Sequence, residues 1–225
     1  MECVYGLLAC LAAFSQNHNS GVEGKVRPWV TERQGAVIYH DQQSRECALT
    51  PPEQFTQPEL SPDGKTVAVI QIEKPGDPGM DEARTSLWIV DVASGSQRKL
   101  LASTPGGGMT EMLAAMWHPQ FSLNGGFVYV AAEAWTTSSA IHQVSVTTGA
   151  HRYVTDGELL LVIRRGRYAG YLAVSKHKYP ANPELGATNP VYIVRPDGKW
   201  AIEVPGSASD EGDKSLPRWL RKNGG

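Results

Sequence analysis

The sequence predicts an all-β protein made of tandem four-stranded antiparallel units, because one pattern of strands and tight turns recurs along it. The pattern is clearest over residues 58–100. It returns at Pro119-Gln-Phe-Ser122, which lies 61 positions after Pro58-Glu-Leu-Ser61 (119 minus 58). The 15 prolines and 23 glycines also fit a chain rich in turns. Repetition at a constant spacing indicates that each unit is one structural module.

The clearest unit begins at Pro58. Its Pro62-Asp63-Gly64-Lys65 segment predicts a tight turn, because proline presets φ and glycine accepts positive φ. The alternating, β-branched residues that follow are typical of a half-buried strand. A second turn is predicted at Ala93-Ser94-Gly95-Ser96. We therefore predict strands at 58–61, 66–72, 87–92 and 97–101.

Two later copies follow the same order. The first has strands predicted at 119–122, 127–132, 141–146 and 151–155, with Leu123-Asn124 in place of Pro-Asp in its first turn. The second has strands predicted at 159–164, 168–175, 191–195 and 200–204. Asparagine also tolerates positive φ, so the changed turn is expected to form.

A family resemblance rests on these residues. Ser61-Pro62-Asp63-Gly64-Lys65, followed by Leu87-Trp-Ile-Val-Asp-Val92 and Arg98-Lys99-Leu100, resembles the Pro-Asp-Gly repeat of TolB-like proteins. The resemblance is clear over about 58–155 and weaker over 157–205. It implies a β-propeller of four-stranded blades, usually in the bacterial envelope and mostly with a binding role. The repeat also resembles the propeller halves of prolyl-oligopeptidase-type enzymes, so it does not fix the activity.

The propeller is predicted to have about four blades and to span residues 25–221, with a tail at 222–225. Residues 26–32, 35–42 and 45–49 are predicted to be the second, third and fourth strands of a blade that lacks its first. We expect Leu216-Pro217-Arg-Trp219-Leu220 to supply that strand, since closure removes two exposed sheet edges. Two alternatives are an open arc that pairs with a second copy and a truncated piece of a longer ancestor.

Composition and the N-terminal segment indicate an exported soluble domain. The net charge of −2 gives no reason to expect nucleic acid or anionic lipid as a partner. Residues 1–24 hold an apolar run at 4–14, too short to span a bilayer but suited to a secretory signal, although Glu2 stands where a basic residue is usual. Leu7-Leu8-Ala9-Cys10 resembles a lipoprotein box, which would place a lipid on Cys10.

Cysteine usage agrees with this interpretation. Cys3 and Cys10 lie in the leader, so Cys47 is left alone and no disulfide is expected within the mature domain. We predict that Cys47 is a half-buried structural residue on a strand.

The predicted binding surface is one face of the propeller. In each meander, the first-to-second and third-to-fourth turns lie at one pole, where every connection is predicted to be short. The long segments (50–57, 74–84, 104–118, 176–190 and 205–215) are predicted at the other pole, which we call the long-loop face, and such loops often carry binding residues. Residues 111–117 are predicted to form at least one helical turn whose side chains contact a partner or plug the channel. The candidate contact residues are Arg84, Met109, Met112, Met116, Trp117, His118 and Tyr179.

Motifs for other chemistries are missing from the sequence. The Gly106-Gly107-Gly108 run has no following Gly-Lys-Ser/Thr, the histidines form no metal-binding pair, and no Gly-x-Ser-x-Gly elbow occurs. A glycosidase-type catalytic pair of carboxylates drawn from Asp91, Glu133 and Glu203 remains an alternative, although Asp91 fits better into the hydrogen bonding of the repeat. We expect no cofactor and no metal.

These observations together predict a non-enzymatic, periplasmic or envelope propeller that binds a protein or peptide. The alternatives are a lyase, a glycosidase, a detached peptidase propeller, or an inhibitor or immunity protein for a secreted effector. A homodimer through open blade edges is a further expectation.

Overall fold

A computed structural model describes residues 27–75, 83–104, 108, 110–135, 138–179, 186–199, 201–208 and 212–223. The described residues form fifteen strands and a C-terminal helix. The strands are β1 (Trp29–Arg33), β2 (Ala36–His40), β3 (Glu46–Ala48), β4 (Phe55–Leu60), β5 (Thr66–Lys74), β6 (Arg84–Asp91), β7 (Gln97–Ala102), β8 (Met116–Phe121), β9 (Phe127–Trp135), β10 (Ser138–Ser145), β11 (His151–Asp156), β12 (Glu158–Val162), β13 (Leu172–Ser175), β14 (Val191–Val194) and β15 (Ala201–Glu203), and the helix is α1 (Gly212–Lys222).

The strands form four antiparallel meanders in chain order, which are the blades of a β-propeller. Blade 1 contains β1–β3, and blades 2, 3 and 4 contain β4–β7, β8–β11 and β12–β15. Each blade packs on the next chiefly through the first strand of the later blade, with apolar clusters between them. In the described part of the chain, no closely packed pair of strands joins blade 1 to blade 4. The predicted fold class is therefore confirmed.

The first turn of blade 2 and that of blade 3 have the same hydrogen bonds despite their different sequences. Ser61 Oγ donates to Asp63 Oδ1 (2.7 Å), and the Thr66 N–H donates to Ser61 Oγ (3.0 Å). In blade 3, Ser122 Oγ donates to Asn124 Oδ1 (2.8 Å). Asparagine thus replaces aspartate, as expected, because either side-chain oxygen accepts the same bond.

Blade 1 lacks its first strand among the described residues, as predicted. The turn after β2 begins at Asp41, whose N–H donates to Arg45 O (3.0 Å), just as the Asp91 N–H donates to Ser96 O (2.9 Å) after β6. This correspondence aligns β2 with β6, a third strand. β1 is consequently the second strand of its blade.

The C-terminal segment is a helix, so the prediction of a closing strand at 216–220 is wrong. Leu216, Trp219 and Leu220 follow an i, i+3, i+4 spacing and pack on the outer apolar cluster of blade 4. This burial favours a helix even though Pro217 lies inside it. No described helix is long and apolar enough to cross a membrane.

Two further expectations need correction. The connection between β12 and β13 runs over residues 163–171, so not every connection at the short-turn pole is short. Cys47 is half-buried on β3, as predicted, but it is disulfide-bonded.

Candidate binding site on the long-loop face

Met116 and its neighbours form a strand rather than the predicted helix. Met116 opens β8 and is 1% exposed in the core between blades 2 and 3, together with Leu113. Leu113 pairs with Thr104 in an isolated bridge, which gives this segment an extended backbone. The prediction of Met116 as a partner contact is therefore wrong, because the burial of its side chain stabilises the propeller.

Trp117 and His118 lie further along β8, near the long-loop pole. Trp117 is half-buried and His118 is exposed. His118 has a φ of 55°, and the pairing of β8 with β9 shifts between Trp117 and Gln120. Gln57 in β4 has a φ of 53° beside the same kind of shift. Each residue precedes a proline, which has no N–H to lose from the sheet, so both first strands bulge at equivalent places.

The first strands of blades 2, 3 and 4 are joined by a group of polar side chains, here called the axial cluster. The His118 N–H donates to Gln57 Oε1 (2.5 Å). Gln120 Nε2 donates to Leu160 O (3.2 Å), and its Oε1 accepts from the Val162 N–H (2.7 Å). The cluster comprises Gln57, Glu59, His118, Gln120 and Arg164.

Arg164 connects three blades within this cluster. It follows β12, and its guanidinium donates to Phe121 O (2.9 Å) and to Glu59 Oε1 (3.0 Å). Burial raises the pKa of Glu59, and the charge of Arg164 opposes that effect. Of these five residues, His118 is the one that the sequence predicted as a site residue. The only signal for the cluster was the repeated Xaa-Pro pair at 57–58 and 118–119.

Tyr179 is the most exposed aromatic side chain in the described part of the chain, at 73%. It follows Lys178, whose backbone pairs with that of Thr188 through bonds of 2.8 and 2.9 Å. The Tyr179 ring meets the His177 ring edge-on at 4.8 Å, and His177 Nδ1 lies 2.9 Å from Asn189 Oδ1. The exposed Tyr179 side chain thus follows directly after a loop base that is closed by two backbone hydrogen bonds.

The face also carries charged groups beside Tyr179. Lys176 Nζ donates to Asp156 Oδ1 and to Thr155 Oγ1, each at 2.7 Å. Burial would raise the pKa of Asp156, but the hydrogen bond and charge of Lys176 lower it. Lys178 Nζ lies 5.9 Å from the centre of the Tyr192 ring. This part of the face therefore combines aromatic and cationic groups.

The remaining candidates are dispersed. Arg84 is exposed at the start of β6, and Met112 is half-buried. Met109 and Cys10 lie outside the described residues.

The three carboxylates proposed for an enzymatic alternative lie on three different blades. Asp91 Oδ1 accepts from the N–H and Oγ of Ser94 (2.8 and 2.7 Å), and these bonds lower its pKa. Asp91 therefore belongs to the turn of the repeat, as expected. Glu133 is exposed on β9, and Glu203 accepts from Tyr192 Oη (2.9 Å). The described residues hold no group of three or more His, Cys, Asp or Glu side chains arranged for a metal.

Comparison with known proteins supports the fold. No family model matches the sequence, and no curated protein matches it. Among solved structures, the chain is similar to TolB from Acinetobacter baumannii (13% identity, TM-score 0.51, 75% of this chain and 37% of that chain). It is also similar to tricorn protease (14%, 0.54, 78% and 15%) and to dipeptidyl peptidase 4 from Porphyromonas gingivalis (9%, 0.52, 80% and 31%).

These similarities define the class of protein as a β-propeller. The chain spans less than two fifths of each of these three structures. At such identities the likeness concerns the fold alone. It agrees with the propeller that the TolB-like resemblance implied.

Proposed function

We propose that this protein is a non-enzymatic β-propeller of the bacterial cell envelope that binds a protein or peptide through its long-loop face. The observation that carries the proposal is the exposed Tyr179 on its hydrogen-bonded loop base. Tyrosine anchors are enriched among the residues that dominate binding energy. An anchor already ordered in the free protein loses little conformational entropy on binding.

The residues around Tyr179 are polar and aromatic, as in a protein-binding surface. His177, Lys178 and Asn189 flank Tyr179 with polar atoms. Trp117 and His118 present a second aromatic pair near the same pole of blade 3. An aromatic centre with a polar rim is the usual composition of a protein interface.

The test is recovery of a partner from envelope extract with point variants. Tyr179→Ala is expected to reduce partner recovery at least tenfold, because it removes the anchor and leaves the core intact. Phe127→Ala is the matched control, since Phe127 is an exposed aromatic residue (38%) at the opposite pole. Equal recovery with both variants would contradict the proposed face. Deleting the whole 104–118 segment is unsuitable, because Leu113 and Met116 belong to the core.

Export needs its own experiment. A fusion of residues 1–24 to alkaline phosphatase should give periplasmic activity, and labelled fatty acid should be lost on Cys10→Ser if Cys10 is acylated. An inactive fusion would contradict the proposed location in the cell envelope.

The proposal that the protein is not an enzyme is tested with the purified protein. Turnover of peptide or oligosaccharide substrates would contradict it.

A further inference from the structure

β1 occupies the place of a second strand with no first strand beside it in the described chain. Alignment of the turns at Asp41 and Asp91 matches His40 with Val90. His40 pairs with Trp29, and Val90 pairs with Val67. Trp29 therefore stands where blade 2 has Val67, and no strand among the described residues corresponds to β4.

The complete blades show what this missing strand would bring. In blades 2, 3 and 4, the residues at the position of Trp29 are Val67, Val128 and Leu172, all 0% exposed. Opposite them, the first strands place Leu60, Phe121 and Val162. Trp29 itself is 36% exposed and stacks on His40, with ring centres 4.5 Å apart. An apolar side chain at the vacant position would cover Trp29.

The backbone of β1 is oriented to accept such a strand. Gln34 and Gly35 form a two-residue turn with φ values of 53° and 78°, which joins Arg33 to Ala36 as a hydrogen-bonded pair. Since successive residues point to opposite sides, Val30 and Glu32 direct their N–H and C=O groups away from β2. Pro28 precedes them in the position of Thr66. Because Pro28 has no N–H to donate, the main-chain donors left for an added strand on this edge are those of Val30 and Glu32.

We propose that the free edge of β1 binds an extended segment of another protein, which adds as an antiparallel strand and packs a Leu, Phe or Val side chain on Trp29. The inference goes beyond the long-loop face and does not depend on it. A second copy is a poorer occupant, because β4, β8 and β12 already serve as the first strands of their own blades. Pairing with β1 of a second copy would set Trp29 against Trp29. Strand addition of this type draws affinity from main-chain bonds and specificity from alternate side chains.

The test uses a fluorescein-labelled octapeptide with the sequence of residues 55–62 (FTQPELSP), which reproduces the first strand of blade 2. It is titrated against the full chain by fluorescence anisotropy. The control peptide has aspartate in place of the leucine that corresponds to Leu60. It is expected to bind at least tenfold more weakly, because a charged side chain would then face Trp29. Trp29→Lys should weaken binding of the parent peptide at least tenfold. Phe127→Lys, at a similarly exposed aromatic residue in a complete blade, should leave binding unchanged.

Hydrogen exchange gives an independent readout on the unaltered protein. Bound peptide should slow exchange at the amides of Val30 and Glu32, and this measurement stands even if Trp29→Lys fails to fold. No binding at 1 mM peptide, or protection confined to other strands, would overturn the proposal. So would a dimer that Trp29→Lys dissociates, or peptide binding that appears only after removal of residues 1–26. The last two results would assign the edge to a second copy or to the chain itself.

Discussion

Two identical tetrapeptides show how one residue acquires its importance from distant contacts. Pro62-Asp63-Gly64-Lys65 and Pro196-Asp197-Gly198-Lys199 both place glycine at a φ of 74°. A Cβ on Gly64 would meet nothing within 4 Å, whereas one on Gly198 would collide with Val154 O of the preceding blade. Gly149 meets Leu100 O in the same way, at 2.6 Å. These glycines let third-to-fourth turns touch the neighbouring blade.

The tetrapeptides give a matched prediction. Gly64→Ala should cost about 1 kcal/mol of unfolding free energy, because only the positive φ is unfavourable. Gly198→Ala should cost at least about 2 kcal/mol more, because the turn must also move away from blade 3. Urea unfolding of both variants checks this. Equal losses would mean that the contact between the blades contributes nothing.

His142 predicts how stability depends on pH. Its side chain is fully buried with no hydrogen-bond partner for either ring nitrogen, and burial, followed by the charge of His151, lowers its pKa to about 4. The unfolded chain protonates at the usual pKa of about 6.5, so it gains protons first as the pH falls. The contribution of His142 is complete above pH 6.5 and declines as the pH falls from 6.5 to 4. The full difference corresponds to roughly 3 kcal/mol.

The check is urea unfolding at pH 7, 5.5 and 4.5. His142→Leu should be less sensitive to acid than the parent over this range, because the carboxylates common to both proteins cancel in the comparison. His177→Leu changes a half-exposed histidine on another blade and should keep the parent dependence. A His142→Leu variant as acid-sensitive as the parent would refute the assignment.

At the scale of elements, α1 is a segment for which the sequence pattern predicted the wrong secondary structure. Its apolar spacing was readable, but the Pro-x-aromatic pattern at 217–219 also fits the opening of a blade. The outer cluster of blade 4 decides between them, since the Trp219 ring packs 4.9 Å from that of Tyr168. The helix end is tied down by the Arg167 N–H, which donates to Asn223 O (3.2 Å).

Trp219→Ala should therefore detach the helix without unfolding the propeller. We expect a loss of about 2 kcal/mol, less than for a fully buried tryptophan because Trp219 is half-buried. Amides of residues 212–222 should exchange faster with solvent while β13 and β14 keep their protection. Arg218→Ala, at an exposed site on the same helix, should change neither property. Loss of protection throughout blade 4 would show that α1 is part of its core.

At the scale of the whole molecule, the axial cluster holds blades together that are distant in sequence. Arg164 joins blade 4 to Phe121 of blade 3 and Glu59 of blade 2. Glu59 and Arg164 are 105 residues apart. We expect this partly exposed pair to matter more for the relative position of the three sheets than for net stability.

Removal of the Arg164 side chain should lower the free energy of unfolding measurably. Arg164→Ala is expected to cost about 1–2 kcal/mol, because Phe121 O and Glu59 lose their donor. Arg165→Ala removes an adjacent, exposed arginine and is expected to cost at most about 0.5 kcal/mol. Thermal and urea unfolding compare the two variants. An equal, small effect would mean that the cluster only accompanies blade packing.

The sequence by itself determined most of the strands and turns, and it predicted that blade 1 has no first strand among the described residues, because alternation and turn chemistry are local properties that repeat. Only the tertiary structure decided that Met116 is core, that residues 212–222 are helical, and that a Cβ on Gly198 would collide with a neighbouring blade whereas one on Gly64 would not. In each case the deciding partner lies on another blade, tens of residues away. Neither a repeat pattern nor a turn motif encodes which surface will cover a side chain.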